Sequence, residues 1–284
     1  MSHKLDRRKL KAFIRKALEE DVKDGDHTSK ACIPKDQISK AKLLVKDAGV
    51  LAGVQIAKEI FTYLDPKASF EVLLDDGSLI NYGDIAFYLT CNSQALLKGE
   101  RLALNTMQRL SGIASLSRSF YNETKEYGVT ILDTRKTTPL LRFLEKWAVV
   151  VGGCSNYRDG LYDRIMIKDN HIKASGSITK AVERVSEYLK NNQKQLDMTI
   201  EVRNINELNE VLSLPVKARV MLDNFQTSEM KKAVKLVGGR IEVEASGGIK
   251  LNNVSQVAAT GVDFISVGAL THSAQSLDLS LKII

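Results

Sequence analysis

The sequence is poor in the residues that mark secreted, zinc-binding or membrane proteins. It contains 3 cysteines and 4 histidines, scattered along the chain without a Cys-x-x-Cys pair. Neither a disulfide framework nor a Cys/His zinc site is therefore expected. No apolar stretch approaches the roughly 18 residues that a membrane span requires, and the first twenty residues lack the apolar core of a signal peptide. We expect a cytoplasmic protein that is not attached to a membrane.

Proline is also scarce, with 4 residues in a chain of 284, and there is no low-complexity tract. This length suggests one large domain or two modest ones. The net charge of +7 is compatible with an anionic small substrate. Basic and acidic residues are intermixed, which argues against a nucleic-acid-binding tail. The alternative, a non-catalytic basic binding protein, predicts a steeply salt-dependent affinity for nucleic acid.

The pattern of apolar residues changes near residue 115. Before it come an amphipathic helix and three strand-like runs, "AKLLVKDAGVLAGV", "SFEVLLDDGSLI" and "DIAFYLTCNS", which predict a small antiparallel sheet. A long helix follows, around "GERLALNTMQRLSGIAS". After residue 116, six short apolar strands alternate with helical segments, which is typical of a parallel sheet. Trp147 lies on the apolar face of one of these helices and is expected in the core.

Polar residues close nearly every strand of the second part. These are Asp133 and Arg135, Lys168 and Asp169, Glu201 and Arg203, Asp223 and Asn224, Glu244 and Ser246, and Gly268. A barrel brings all its strand ends to one face, whereas an open sheet concentrates its chemistry at one switch point. The pattern favours an α/β barrel. Six repeats instead of eight predict an incomplete, irregular barrel.

The segment "DTRKTTP" shows most clearly that these strand ends carry chemistry. It places a carboxylate, two cations and three hydroxyls directly after a buried strand, where charge is costly unless it is paired or used. Arginine offers a planar fork for carboxylates and phosphates, and lysine offers a point charge. The cations that could hold a polyanion are Arg101, Arg135, Lys136, Arg158 and Lys168.

Acidic and small residues complete this site. Glu201 and Asp223 end adjacent strands and suit Mg²⁺, which takes a few carboxylates together with substrate oxygens and water. Ser246, Gly247 and Gly248 precede a helix, and Gly268 follows the last strand, as in the phosphate-binding loops of barrels. These residues predict an enzyme that acts on a polyanionic substrate with at least one phosphate.

Four motifs resemble those of the quinolinate phosphoribosyltransferases, and the similarity covers essentially the whole chain. The motifs are "DTRKTTP", "GLYDRIMIKDNHI", "IEVEASGGI" and "ISVGALTHS". The resemblance implies an N-terminal α/β sandwich domain, residues 1–115, followed by an irregular six-stranded α/β barrel of the type II phosphoribosyltransferase kind, residues 116–271. It also implies that residues 272–284 return to the first domain.

The reaction that this resemblance implies joins quinolinate to 5-phosphoribosyl 1-pyrophosphate. It releases nicotinate mononucleotide, pyrophosphate and CO₂ as a step of de novo NAD synthesis, and it requires Mg²⁺. The family is dimeric, and each site borrows an arginine from its neighbour. Arg101 matches that arginine in this chain; assembly beyond a dimer stays open.

The remaining roles are also carried over by resemblance. Lys136, Lys168, Glu201 and Asp223 would be the catalytic residues, with Glu201 and Asp223 near the metal and the ribose. The substrate-binding set adds Arg101, Thr134, Arg135, Tyr157, Arg158, Ser246, Gly247, Gly248, Gly268 and His272. Asp133 is expected to be a structural partner of nearby cations, and His171 a hydrogen-bonded residue outside the site.

The chain departs from the family pattern at Tyr157, where the family has histidine before the arginine. Tyrosine is neutral at physiological pH, whereas histidine can carry a charge, so we expect altered affinity for quinolinate. Two other enzymes stay open as alternatives. One is a related transferase-like protein linked to molybdenum transport, and the other is a barrel aldolase that forms an imine at Lys168.

Overall fold

The computed structural model describes residues 5–284. Its helices are α1 Arg7–Val22, α2 His27–Cys32, α3 Val54–Leu64, α4 Ser93–Thr124, α5 Arg142–Val151, α6 Asp169–Ser175, α7 Ile178–Asn191, α8 Ile205–Ser213, α9 Thr227–Val237, α10 Val254–Ala258 and α11 Ala269–His272. Its strands are β1 Ile38–Val45, β2 Gly49–Val50, β3 Ser69–Val72, β4 Leu79–Ile80, β5 Ile85–Asn92, β6 Thr130–Leu132, β7 Ile165–Ile167, β8 Met198–Val202, β9 Arg219–Asp223, β10 Val243–Ser246, β11 Phe264–Ser266 and β12 Leu279–Ile283.

These elements form two compact units. The first contains the described residues up to Arg118 together with Pro139–Gly153 and Ser273–Ile284, and the second contains Ser119–Thr138 and Cys154–His272. The domain boundaries predicted after residues 115 and 271 stay a prediction. The segment Pro139–Gly153, which carries α5, belongs to the first compact unit.

The first unit is built on an antiparallel sheet in the order β12-β1-β5-β3. The last strand pairs with β1, with Leu281 opposite Leu43. The predicted antiparallel sheet is therefore confirmed, and the chain end supplies its edge. On α1 the residues Leu10, Ile14 and Leu18 are buried at helical spacing. The predicted long helix is α4, and Trp147 on α5 is only 6% exposed, as expected of a core residue.

The second unit contains the six predicted strands as one parallel sheet in the order β6-β11-β10-β9-β8-β7. Strands β8, β9 and β10 are buried almost throughout, because helices cover a parallel sheet and leave little of it to solvent. Among the described residues β6 and β7 are not paired with each other, so the barrel is not closed. The prediction of an incomplete six-stranded barrel is confirmed.

On one face of this sheet, polar side chains lie at two levels along the strands, one at the carboxyl ends and one deeper in the sheet. Side chains two or four positions apart in a strand point to the same side. Thr199 therefore shares a face with Glu201, and Arg219 shares a face with Asp223. Each pair places one polar residue at the carboxyl end of its strand and another deeper in the sheet.

Candidate active site

The segment after β6 begins with a buried carboxylate. Asp133 is 0% exposed, and its Oδ1 accepts a hydrogen bond from the backbone N–H of Tyr157 at 2.8 Å. The next residue, Thr134, accepts from the backbone N–H of Lys136 at 3.1 Å. These bonds shape the "DTRK" segment and bring its two cations to the carboxyl end of the sheet. Asp133 is thus bonded to a backbone amide, and its predicted partnership with nearby cations stays a prediction.

Lys136 lies against the segment that follows β11. The Thr271 hydroxyl donates to the Lys136 carbonyl at 2.8 Å. A Cβ placed on Gly268 would lie 3.0 Å from Lys136 Cδ and 3.2 Å from His272 Nε2. A side chain at position 268 would therefore press on both residues. The structure thus brings Lys136, which the sequence analysis placed among the cations, close to Gly268 and His272, which it placed in the substrate-binding set.

Arg135 and Arg158 form a second cationic group. Partial burial lowers the pKa of the Arg158 guanidinium below its ordinary value, and the nearby charge of Arg135 lowers it further. Arg158 Nη1 also makes a long contact of 3.5 Å with the carbonyl of Arg164. Two neighbouring guanidinium groups repel each other, and a bound carboxylate or phosphate relieves that repulsion.

Lys168 and Glu201 form an ion pair between the ends of β7 and β8. Lys168 Nζ lies 3.4 Å from Glu201 Oε2, and their side chains are 45% and 9% exposed. His171 does not extend this pair, because its Nδ1 accepts the backbone N–H of Lys168 at 3.0 Å and so caps α6. An imine-forming lysine needs an uncharged amine in an apolar pocket, and a half-exposed, ion-paired Lys168 does not match that requirement.

The ends of β9 and β10 form a small polar loop cluster. Asp223 is paired in register with Ser246, and the backbone N–H of Asn224 donates to the Ser246 carbonyl at 2.9 Å. The Asn224 side chain donates to Asp223 Oδ2 at 2.9 Å and packs on Gly247, where it leaves no room for a Cβ. Gly248, by contrast, faces open space.

Asn224 adopts a positive φ of 57° to make these contacts. Asparagine tolerates this conformation better than most residues. Asn224 was noted in the sequence only as a polar strand end, and its place in the cluster is a finding of the structure. Thr271 was likewise missed, since a single threonine after Ala269 and Leu270 carries no distinctive signal.

Glu201 and Asp223 are compatible with a substrate-bound magnesium ion. Among residues 5–284, no group of three or more His, Cys, Asp or Glu side chains could hold a metal. Mg²⁺ is commonly bound by one or two carboxylates together with phosphate oxygens and water. The two carboxylates therefore fit an ion that arrives with the substrate, and they do not form an all-protein cage.

Two of the predicted strand-end residues lie elsewhere. Glu244 is not at the rim: it is in the middle of β10, 0% exposed, and bound to Arg219 and Ser266. Arg203 leaves the site as well, because its guanidinium pairs with Glu207 one helical turn on, at 2.5 Å. The polarity of the sequence near a strand end does not specify which residue actually terminates the strand.

Two substrate-binding candidates, Arg101 and Tyr157, do not belong to the groups described above. Arg101 lies exposed on α4 in the first compact unit, and its role toward a neighbouring copy stays a prediction. Tyr157 has its hydroxyl 2.8 Å from Thr199 Oγ1. The roles of all the candidate side chains toward substrate stay predictions. The positions of those other than Arg101 are defined in the second unit.

Comparison with known proteins identifies the family that has this architecture. Residues 26–111 match the family description "Quinolinate phosphoribosyl transferase, N-terminal domain", and residues 113–282 match "Quinolinate phosphoribosyl transferase, C-terminal domain". The chain belongs to the quinolinate phosphoribosyltransferase family. The sequence resemblance is thereby confirmed.

Individual relatives agree over nearly the whole chain. Quinolinate phosphoribosyltransferase [decarboxylating] 1b of Nicotiana tabacum is 43% identical over 289 residues, covering 96% of this chain and 82% of the relative. A probable nicotinate-nucleotide pyrophosphorylase [carboxylating] of a Synechocystis strain is 40% identical, with coverages of 96% and 92%. The crystal structure of NadC from Streptococcus pyogenes has a TM-score of 0.92 and 35% identity and is covered completely.

Proposed function

We propose that this chain transfers the phosphoribosyl group of 5-phosphoribosyl 1-pyrophosphate to quinolinate, with decarboxylation to nicotinate mononucleotide. The chain is thus a pentosyltransferase of de novo NAD synthesis. Family membership over both matched segments carries this conclusion. The strand-end geometry is consistent with it, since Lys168 is paired with Glu201, and Arg135 lies near Arg158 in the same unit.

The cationic residues suit the ionic state of both substrates. Quinolinate carries two carboxylates, and phosphoribosyl pyrophosphate carries a phosphate and a diphosphate. The adjacent guanidinium groups of Arg135 and Arg158 can each bind a carboxylate in a bidentate manner. The proximity of Lys136 to Gly268 and His272 supports a phosphate-binding role for this lysine. We assign quinolinate to the arginine pair and a phosphate to the Lys136 group.

The proposed reaction breaks the bond between the anomeric carbon and pyrophosphate as the ring nitrogen of quinolinate attacks that carbon. Positive charge develops on the ribose, and the carboxylates of Glu201 and Asp223 are of the right sign to stabilise it. After the attack the ring nitrogen is positively charged, so it can stabilise the electron pair left on the adjacent carbon when CO₂ departs, and a proton then takes the place of the carboxylate on that carbon. The enzyme contributes mainly positioning and charge stabilisation.

Magnesium is the proposed cofactor. When bound to the diphosphate, it would neutralise charge on the leaving group, and Glu201 and Asp223 are the residues that would hold it through oxygen or water. Removal of divalent ions with a chelator is expected to abolish turnover, and added Mg²⁺ is expected to restore it. Full turnover in the chelated enzyme would refute this requirement.

A homodimer is the proposed assembly, with Arg101 acting in the neighbouring site. The proposal is supported by the family resemblance of the "GERLALN" segment and by the exposure of Arg101 on α4. Mixing inactive Arg101→Ala and Lys136→Ala variants should restore activity if each site uses residues of both copies. Mixed dimers without any activity would show that Arg101 acts within its own chain.

The proposed location is the cytoplasm. No helix within residues 5–284 is long and apolar enough to cross a bilayer. Relatives from plants are named chloroplastic or mitochondrial. Fractionation of cells that express the full chain with a C-terminal tag tests the location. Recovery of the chain in an organelle or membrane fraction would refute it.

The deciding experiment measures nicotinate mononucleotide and CO₂ formed from carboxyl-labelled quinolinate, phosphoribosyl pyrophosphate and Mg²⁺. Nicotinate is run in parallel as the acceptor that lacks the 2-carboxylate. Product from quinolinate alone, with one CO₂ per nucleotide, is the expected result. Product from nicotinate alone would keep the transfer chemistry and overturn the substrate assignment.

A further inference from the structure

Below the strand ends of the second unit lies a buried polar layer that the reaction as described does not use. We call Arg164, Arg219, Thr199, Glu244, Ser266 and Tyr157 the inner layer. Arg219 Nη1 donates to Glu244 Oε2 at 3.2 Å, and the Ser266 hydroxyl donates to Glu244 Oε1 at 2.5 Å. Arg164 Nη1 donates to Thr199 Oγ1 at 3.2 Å.

Tyr157 joins the two halves of this layer. Its hydroxyl lies 2.8 Å from Thr199 Oγ1, and its ring faces the guanidinium of Arg219, which is bonded to Glu244. Arginine can only donate, so Thr199 accepts from Arg164 and its own proton is available for Tyr157. Tyr157 thus connects the Arg164–Thr199 pair with the Arg219–Glu244 pair.

The surroundings of the Tyr157 ring favour a neutral side chain. The guanidinium carbons of Arg164 and Arg219 each lie 5.5 Å from the ring centroid, within the range of cation–π attraction. Burial and the Glu244 charge raise the pKa of Tyr157 to about 12, so the hydroxyl keeps its proton. A histidinium at this position would instead be repelled by two guanidinium groups.

Tyr157 is also bonded to the substrate-facing segments. Its backbone N–H holds Asp133, the first residue of the "DTRK" segment, and its peptide bond leads directly to Arg158. Arg158 Nη1 also lies 3.5 Å from the carbonyl of Arg164, at the outer limit of hydrogen-bond distance. The bonds of Tyr157 therefore hold the residue that directly precedes Arg158.

We propose that Tyr157 is a positioning residue for quinolinate binding, which fixes Arg158 and the Asp133–Lys136 segment through the inner layer instead of contacting substrate with its hydroxyl. The proposal rests on the proposed function for the identity of the substrate. It explains why a neutral residue can occupy the place where the family pattern has histidine. A histidine could carry a charge toward substrate, whereas Tyr157 instead makes a hydrogen bond with Thr199 and packs its ring against Arg219.

Thr199→Val provides the sharpest test, because Thr199 is 0% exposed and cannot contact substrate. If Tyr157 acts through this layer, Tyr157→Phe and Thr199→Val should each raise the KM for quinolinate about tenfold, the effect of losing roughly one net hydrogen bond. The kcat should stay within about twofold of wild type. The double variant should show about the same KM as either single variant, because both remove one shared link.

Val220→Ala is the matched control for lost stability. Val220 is 0% exposed on β9 and lies on the opposite face from Arg219. This variant should lower the melting temperature without changing the KM for quinolinate. Tyr157→His separates positioning from direct contact: positioning predicts a raised KM, whereas a substrate-contacting histidine predicts an unchanged or lower KM.

Unchanged KM values in Tyr157→Phe and Thr199→Val, or additive effects in the double variant, would overturn the proposal. Wild-type turnover is measured first, so that a failure of the proposed function is seen separately. If wild type forms no nicotinate mononucleotide, amide hydrogen exchange tests the link without substrate. Exchange at residues 133–136 and 156–158 should rise in both link variants and not in Val220→Ala, and equal exchange in all of them would overturn the proposal.

Discussion

The two polar layers of the barrel use the same residue types in opposite ways. The cationic rim, defined as Arg135, Lys136, Arg158 and Lys168, lies at or just beyond the carboxyl ends of the strands and on the loops beside them. The inner layer lies two to four residues deeper, roughly 7 to 13 Å along a strand. Arg219 of the inner layer binds two carboxylates, those of Glu244 in the same layer and of Glu242 outside it. At the rim, by contrast, cations outnumber acids.

This difference shows that charge in the inner layer contributes to stability, whereas charge at the rim contributes to binding. A buried charge is tolerated only when protein groups compensate it, and the inner layer provides that compensation. At the half-exposed rim, water solvates a surplus of cations until a polyanion replaces that water. The rim therefore depends on substrate for its neutralisation, and the inner layer does not.

The largest expected effect comes from breaking the inner layer. Arg219→Leu leaves the Glu244 carboxylate buried without its cation, which should cost about 3–5 kcal/mol in the free energy of unfolding. Urea denaturation measures this loss. The double variant Arg219→Leu/Glu244→Leu should recover much of it. A single variant as stable as wild type would show that the pair does not hold the sheet.

Removing a rim cation should affect catalysis and leave the fold intact. Lys136→Ala is expected to reduce kcat/KM about 10²- to 10³-fold, the usual cost of losing one group that stabilises developing charge. Its circular dichroism and melting curve should match those of wild type. Lys232→Ala, an exposed lysine on α9, is the control. Near-normal turnover in Lys136→Ala would refute the role assigned to this lysine.

Salt should act on the two layers unequally. Raising the salt concentration from about 0.05 to 0.5 M shortens the Debye length and screens half-exposed charges more than buried ones. The KM for phosphoribosyl pyrophosphate should rise several-fold over this range. The stability difference between wild type and Arg219→Leu should stay constant. A salt-independent KM would argue against a cationic rim as the binding element.

The smallest effect is expected at an ion pair outside both layers. Arg203 and Glu207 form a closer contact than the inner-layer pairs, at 2.5 Å, but Arg203 is 56% exposed. Exposed pairs contribute little, because water already solvates both ions. Arg203→Ala should shift neither the urea midpoint nor turnover beyond measurement scatter. A clear loss of stability would mean that contact distance, and not burial, determines how much an ion pair contributes to stability.

Much of the rim was predictable from sequence, and the inner layer was not. The "DTRK" segment follows a short apolar strand, so Arg135 and Lys136 could be assigned to a strand end from the local pattern alone. Glu244, in "IEVEAS", follows the same kind of pattern and was assigned to a strand end as well. It lies inside β10, because the strand continues to Ser246.

The partners of the inner layer are distant in sequence. Thr199, Arg219 and Glu244 belong to three different strands, and Tyr157 lies in the segment between α5 and β7. No spacing rule connects them, since their contacts depend on strand order and register. The parallel pairing of β9 with β10 places Val220 opposite Val243 and so brings Arg219 within reach of Glu244.

The sequence by itself determined the strand–helix alternation, the polar strand ends and the family. These are local properties: a hydrophobic period of two or of 3.6 residues, and motifs of contiguous residues. Only the tertiary structure decided the order of the strands in the sheet, that Glu244 is buried and that the Tyr157 hydroxyl faces Thr199. Those outcomes depend on the register between strands and on the packing of one face, which are set by contacts between residues far apart in the chain.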